Sequence, residues 1–360
     1  MKIKALCLFS QNIKHIIKPF QNGEVSDNNL MGWNYMEKFN ISVNYFGINY
    51  KLNNESRFKK NYNFFINQIK DLVVIFRIRK YDLVFLSHSL KIVFLVKNLF
   101  HIKKTKVFFY NVNLRSIIKN NKRKKFKYWV INRVVKKIDA IICPSISQLE
   151  NLISEGYDVE KLFFLPTGVD INFLNNKQKS VERMSEKFIL SVGKDSGRDY
   201  RTLIEAVKDL NIKVRIITKI DNIASDIVIP QNVQIDFLPY NELLKLYHNC
   251  LFVVVPTINE DQEVYQSDCS GHTVILEAMA CGKAIIATKR STVSHLIEDN
   301  KNGILVEPEN IEVLKKAIQI LLNDENLCYN MGKLSVEKVK EFSTKNFAEK
   351  LNIIIKTVIK

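Results

Sequence analysis

Short runs of apolar residues alternate along this chain with longer segments whose apolar positions recur every three or four residues. The first pattern predicts buried parallel strands, and the second predicts amphipathic helices laid over them. Ile3–Phe9, Leu83–Ser87, Lys106–Tyr110 and Ala140–Cys143 make up one series of expected strands. Phe188–Val192, Val214–Thr218, Val233–Phe237, Leu251–Pro256, Ala284–Thr288 and Ile304–Val306 make up a second. Helical patterns fall between them, as at Tyr200–Leu210, Asn241–His248 and Ile311–Leu322. Alternation of this kind requires right-handed crossovers and gives doubly wound α/β sheets. Two series predict two domains, 1–172 and 173–340, and an amphipathic helix in 341–360 that packs back toward the first. The expected link is Pro166-Thr167-Gly168-Val169-Asp170 and the polar stretch from Asn175 to Glu186. Two such sheets facing each other put a cleft at the carboxyl ends of their strands, where ligands bind.

Composition narrows the class. The chain has 360 residues, 46% of them hydrophobic, which is enough for two cores. Only 11 Gly and 7 Pro exclude a low-complexity or disordered chain. The 6 Cys form no C-x-x-C pair, so reduced thiols of a cytoplasmic protein are expected rather than a disulfide framework or zinc site. The apolar run in MKIKALCLFSQ is too short for a signal-peptide core, and His88, Lys91 and Lys97 interrupt the apolar stretch from Leu83 to Phe100. Charge is placed unevenly. The net is +19 over residues 1–180 and −2 over 181–360, and residues 51–150 alone carry +18. The excess therefore points to a partner of the first domain.

Two segments carry candidate chemistry. Residues 271–288 read GHTVILEAMACGKAIIAT. Thr273 is the expected N-cap of a helix running to Cys281, with Gly282 as its left-handed stop and a buried strand directly after. The unpaired N–H groups at that helix start suit a phosphate. Glu277, one turn in, suits sugar hydroxyls, since an ionised carboxylate only accepts hydrogen bonds. Alone, it better fits the solvent edge of a half-buried helix. Residues 191–206 read SVGKDSGRDYRTLIEA. Gly193 and Gly197 let backbone approach a ligand, and Lys194 and Arg198 flank that loop as candidate partners of a diphosphate. Alone, this is also an ordinary strand–helix connection with two solvated cations.

The segment GHTVILEAMACGKAII, followed by Asp299-Asn300-Lys301-Asn302-Gly303-Ile304-Leu305-Val306 and Pro308, resembles the donor-binding half of family 4 glycosyltransferases. Ser191-Val192-Gly193-Lys194 through Glu205-Ala206 resembles that family's phosphate loop. Asp139 to Ser145 and Pro166 to Asp170 resemble the end of its first domain, and Glu242-Leu243 through Val255-Pro256-Thr257 the approach to its donor site. The resemblance covers roughly residues 80 to 355. It implies the GT-B fold, an α/β architecture of two Rossmann-like doubly wound domains facing across a cleft. It also implies retaining transfer of a sugar from a UDP- or GDP-sugar to a glycan or lipid-linked acceptor, as in cell-envelope polysaccharide synthesis. Glu277 then holds the donor ribose, Lys194 and Arg198 hold the diphosphate without a metal, and no cofactor is needed. Gly193, Gly271, His272, Thr273 and Val274 shape the donor loop. The family's first Glu, eight positions earlier, is Cys269 here. Asp268, Glu263 or Asp261 stands in for it, or backbone N–H groups of Gly271 and His272 hold the sugar. His88, Asn111 and Asn113 follow strands of the first domain and are expected in its cleft. No protein nucleophile is assigned.

Residues 119–137, KNNKRKKFKYWVINRVVKK, place Phe126, Val130, Ile131, Val134, Val135 and Ile138 at helical spacing, with Tyr128 and Trp129 beside them. This predicts a helix packed on the first sheet with a basic face. Lys and Arg beside Trp and Tyr also suit an anionic membrane surface, so peripheral attachment to the cytosolic face is expected. No nucleic-acid motif accompanies the patch. A nucleotide-sugar epimerase on the same fold and a membrane-bound scaffold with a degenerate donor site are the alternative functions.

Overall fold

A computed structural model of the chain describes residues 2–9, 14–47, 73–86, 90–94, 96–97, 100, 102, 104–178, 182–259 and 267–360. The chain divides into two compact units. Unit 1 comprises Met1–Glu24, Asn29–Pro166 and Phe347–Lys360; unit 2 comprises Val25–Asn28 and Thr167–Asn346. Each unit holds a six-stranded sheet, and every pairing of strands within it is parallel.

In unit 1 the strands are β1 (Ile3–Phe9), β2 (Ile41–Gly47), β3 (Leu83–Leu86), β4 (Lys106–Tyr110), β5 (Ala140–Cys143) and β6 (Leu162–Phe164), in the spatial order β2-β1-β3-β4-β5-β6. The strands β3 and β5 are buried at every position, as continuous apolar runs under two layers of helix require. One face packs on Trp33, 5.0 Å from Phe85 between ring centroids, and on the last helix, Thr344–Val358. Phe347, Ala348, Leu351, Ile354 and Ile355 of that helix bury their side chains there, so the chain ends in the unit where it began. The spacing of these five positions is the three-and-four repeat of a helix with one apolar face.

In unit 2 the strands are β7 (Phe188–Val192), β8 (Lys213–Ile217), β9 (Val233–Asp236), β10 (Phe252–Val255), β11 (Ala284–Thr288) and β12 (Gly303–Val306). Their order is β12-β11-β10-β7-β8-β9. The strands β7, β10 and β11 are wholly buried. Helices Tyr200–Val207, Tyr240–Asn249, His272–Ala280, Ile311–Asn323 and Glu325–Val339 cover the two faces. Asp199 caps the first of these through its side chain, which accepts from Thr202 N at 3.0 Å.

The expected strands are present, and two unexpected ones join them. Both β2 and β6 are edge strands. In β2, Ser42 and Asn44 interrupt the apolar run, and β6 has only three residues with Phe164 exposed. Neither reads as a buried run because neither is covered on both sides. The polar link after Asp170 contains a helix, Ile171–Gln178, whose Leu174 is buried. The basic segment folds as two helices, Leu114–Asn121 and Lys125–Val135. Ile131, Val134, Val135 and Ile138 enter the core, but Phe126 does not: it is 78% exposed, with Trp129 at 55% beside it. The register that buries Val134 and Val135 turns the first helical turn away from the sheet.

Candidate functional site

In unit 2 the chain leaves β7 toward β8 and β9 on one side and returns to β10 on the other. Such a reversal opens a crevice at the carboxyl ends of the two central strands, because the crossovers diverge there. Two connections line it. Residues 193–199 lead from β7 into helix Tyr200–Val207, and residues from Pro256 onward lead from β10 into helix His272–Ala280. Backbone bonds join them: Asp199 N donates to Pro256 O at 3.2 Å and Ile258 N to Gly197 O at 3.0 Å. Ser270 Oγ donates to Asp195 Oδ1 at 2.6 Å, and Thr257 N to Thr288 Oγ1 at 2.8 Å.

Arg198 lies at the centre of this seam. Its side chain is 2% exposed, with Nε 3.3 Å from Asp195 Oδ2. Neither Nε nor Nη1 has a hydrogen-bond partner. A Cβ at Gly193 would overlap Arg198 Nε, and one at Gly271 would stand 3.3 Å from Nη1. The guanidinium therefore lies against two backbones that carry no side chain. It also abuts the start of helix His272–Ala280, whose N-cap is Gly271 in the left-handed region (φ 91°) with no side-chain cap. A cation at the positive end of a helix is repelled, and buried N–H groups without acceptors cost free energy. An anion in this place would relieve both liabilities.

The cap differs from the sequence-based expectation. Thr273 is the second helical residue and is exposed, while Gly271 holds the cap position. A side chain at the cap would press on Val255 Cγ1, 3.0 Å from an ideal Cβ, so the turn is made by the residue that has none. The other end is as expected: Gly282 has φ 69°, and its N–H and that of Lys283 donate to Met279 O and Ala278 O, each at 3.0 Å.

Glu277 sits one and a half turns into this helix, buried among Val274, Ile275, Leu276, Ala278 and Met279. Its Oε1 accepts from Tyr240 Oη at 2.8 Å and from Asn28 Nδ2 at 3.3 Å. Burial pushes its carboxyl up to about 7, against the downward pull of the polar groups of Tyr240, Tyr247 and Asn28.

The remaining candidates divide. Lys194 is exposed and pairs with no acidic side chain among the described residues. Val274 and Asp268 are buried; Cys269 is half-buried, its N donating to Ser267 Oγ at 3.1 Å. The His272 ring is buried, 5.5 Å from that of His295. Burial, then His295 and Arg290, hold its pKa well below the usual range, so the imidazole is neutral. Asn111 Oδ1 accepts from Leu114 N at 2.9 Å and so serves the start of helix Leu114–Asn121 in unit 1. Asn113 is that helix's N-cap residue, without a side-chain cap bond. His88, Asp261 and Glu263 lie outside the described residues. Sequence reasoning missed Asp195, Ser270, Tyr240 and Asn28. Asp195 stood in the loop already singled out; nothing local marks Asn28, 249 positions from Glu277. Among the described residues, no three His, Cys, Asp or Glu side chains converge as metal ligands.

The family model described as glycosyl transferases group 1 matches residues 172–337. A glycosyltransferase of Methanocaldococcus jannaschii is 29% identical over 227 residues, 61% of this chain and 58% of that protein. The N-acetylgalactosamine-N,N'-diacetylbacillosaminyl-diphospho-undecaprenol 4-alpha-N-acetylgalactosaminyltransferase of Campylobacter jejuni is 24% identical over 224 residues, 58% of each chain. The alignments thus span less than three fifths of the length of these curated relatives. Among solved structures, sucrose-phosphate synthase of Thermosynechococcus elongatus superposes with a TM-score of 0.72 at 14% identity over 99% of both chains. HepE of Anabaena, solved in complex with UDP-glucose, gives 0.67 at 14% identity over 99% of this chain and 100% of that one. The two parallel six-stranded sheets have the GT-B fold of those solved structures, and residues 172–337, across the second unit, match the group 1 glycosyltransferases.

Proposed function

We propose that this protein is a retaining glycosyltransferase that moves a sugar from a UDP- or GDP-sugar to a glycan or lipid-linked acceptor in cell-envelope polysaccharide synthesis. The observation that carries the reading is the buried Arg198 guanidinium, with two unbonded nitrogens at an uncapped helix start, followed along the same helix by Glu277. That order fits diphosphate first and ribose second. In the reaction the bond between the anomeric carbon and the diphosphate oxygen breaks. The acceptor hydroxyl bonds to that carbon and gives its proton to the departing diphosphate oxygen, and the nucleoside diphosphate leaves with the electron pair of the broken bond. Arg198, Lys194 and the helix start oppose the charge that develops on the leaving oxygen, without a metal. Backbone N–H groups around Gly271 and His272, with Thr273 and Asp268, face the transferred sugar. The Campylobacter relative is named for a diphospho-undecaprenol acceptor, and HepE is solved with UDP-glucose, which supports a lipid-linked acceptor and a UDP donor.

The basic surface of residues 51–150 adds peripheral attachment to an anionic membrane. Phe126 and Trp129 stack at 6.1 Å on an exposed helix face, with Arg133 5.4 Å from the Trp129 ring. No helix among the described residues is long and apolar enough to cross a membrane.

Calorimetric titration with UDP and GDP, extended to a panel of donor sugars, tests the reading. We expect one nucleotide to bind and both Glu277→Ala and Arg198→Ala to abolish transfer while circular dichroism stays unchanged. Wild-type turnover in both variants would sink the site assignment, and binding of neither nucleotide would favour a scaffold.

A further inference from the structure

Glu277 is held by residues from separated parts of unit 2. Asn28 belongs to Val25–Asn28, a short strap that lies in unit 2 although the chain on both sides of it lies in unit 1. The strap is fastened by side chains. Asn28 Oδ1 accepts from Asp170 N at 2.6 Å, Asp170 Oδ2 from Asp27 N at 3.1 Å, and Asp170 Oδ1 from Phe173 N at 3.0 Å. Ser26 and Asp27 are buried, and Ser26 lies close enough to the Tyr240 hydroxyl to influence its ionisation. Tyr240 in turn stacks on Phe173 at 6.4 Å and 15°. Through this network the strap and the start of helix Tyr240–Asn249 converge on one atom, Oε1 of Glu277. Neither bond falls on Oε2. A carboxylate with one oxygen fixed by two donors cannot rotate freely, and its second oxygen is presented in a set direction.

We propose that Asn28 and Tyr240 are positioning residues of the donor site, clamping Oε1 of Glu277 so that Oε2 accepts from the ribose hydroxyls of a nucleoside diphosphate-sugar. This rests on the reading of Glu277 as the ribose ligand. The clamp has a second consequence. Both donors favour the ionised carboxylate, while burial raises its pKa to about 7. The titratable groups acting on Glu277 are Tyr240 and Tyr247 on one helix and Cys281 on its own; the strap contributes the neutral Asn28. Ribose binding therefore weakens as pH falls through about 7. Removing a clamp donor raises the carboxyl pKa and moves that midpoint upward.

The test is calorimetric binding of UDP, GDP and their 2′,3′-dideoxy analogues between about pH 6 and 9. Wild type is compared with Tyr240→Phe, which keeps the ring on Phe173, with Asn28→Ala and with Glu277→Gln. Wild type is expected to prefer the ribonucleotide roughly 10-fold over the dideoxy analogue. Tyr240→Phe and Asn28→Ala should each lose most of that preference near neutral pH and regain part of it at higher pH. Glu277→Gln should bind without a midpoint near 7. An unchanged preference and midpoint in both clamp variants would overturn the proposal. So would tighter ribonucleotide binding by Asn28→Ala, which would make Asn28 a competitor for the site. A wild type that binds but shows no preference for ribose would instead remove the reading of Glu277 on which the proposal stands.

Discussion

Arg198 owes its position to two residues without side chains. Gly193 and Gly271 leave the space that its guanidinium fills, and Asp195 holds Nε from the side. Alanine at 193 would place a methyl group on Nε, so the guanidinium must shift from the position it holds. Gly193→Ala is therefore expected to weaken UDP or GDP binding by about 2 kcal/mol, roughly 30-fold, by displacing the charged donor. Titration calorimetry measures this, and an unchanged affinity would show that the diphosphate does not lie on Arg198. Of these residues, Lys194, Arg198 and the glycines were legible in the sequence as a loop with cations. The burial of Arg198 was not, because desolvation comes from Val255, Gly271 and the second connection, which lie more than fifty positions away.

At the scale of elements, helix His272–Ala280 is the piece on which the site depends. It is fixed at one end by the αL turn at Gly271 and at the other by Gly282. Helix Glu325–Val339 crosses that second end so closely that a Cβ on Gly332 would overlap Gly282 O and stand 3.0 Å from its carbonyl carbon. Backbone on backbone cannot be relieved by a rotamer change. Gly332→Ala should cost about 3 kcal/mol and lower the unfolding temperature of unit 2 by several degrees in scanning calorimetry. Nucleotide affinity at low temperature should remain, since Gly332 is remote from Arg198 along the helix. Element type was readable wherever the period was clear, as in β7, β10, β11 and the helices over them. The edge strand β2 was missed because a strand covered on one side need not be apolar throughout, and β6 because three residues are too short a run to stand out. The misplaced cap at Thr273 has a similar cause: preference for Thr at N-caps is a local tendency, and packing against Val255 overrode it.

For the whole molecule, the charge is confined to one part of the chain. Residues 51–150 carry a net +18, whereas residues 181–360 are nearly neutral at −2. On the helix Lys125–Val135, Phe126 and Trp129 add apolar rings to that basic field. Basic residues near an anionic surface contribute roughly 1 kcal/mol each, and each ring entering the interface contributes about 2 kcal/mol. Flotation with anionic vesicles at low salt should carry the protein upward. High salt should weaken binding through screening, and Phe126→Ala with Trp129→Ala together should reduce it by up to roughly 1000-fold on the same ring estimate. No flotation at low salt would remove the membrane from the proposed function.

Local spacing in the sequence by itself determined the two series of strands, the stop at Gly282, the carboxylate inside an apolar helix and the cationic loop after β7. Each depends on residues within a few positions of one another. Only the tertiary structure decided that Gly271 and not Thr273 caps the helix, that two nitrogens of the buried Arg198 lack hydrogen-bond partners at its start, and that Asn28 reaches Glu277 across 249 positions. Hydrogen-bond partners and desolvation are properties of neighbours in space. At the place where the strand order reverses, those neighbours come from opposite sides of the sheet and from a strap near the start of the chain.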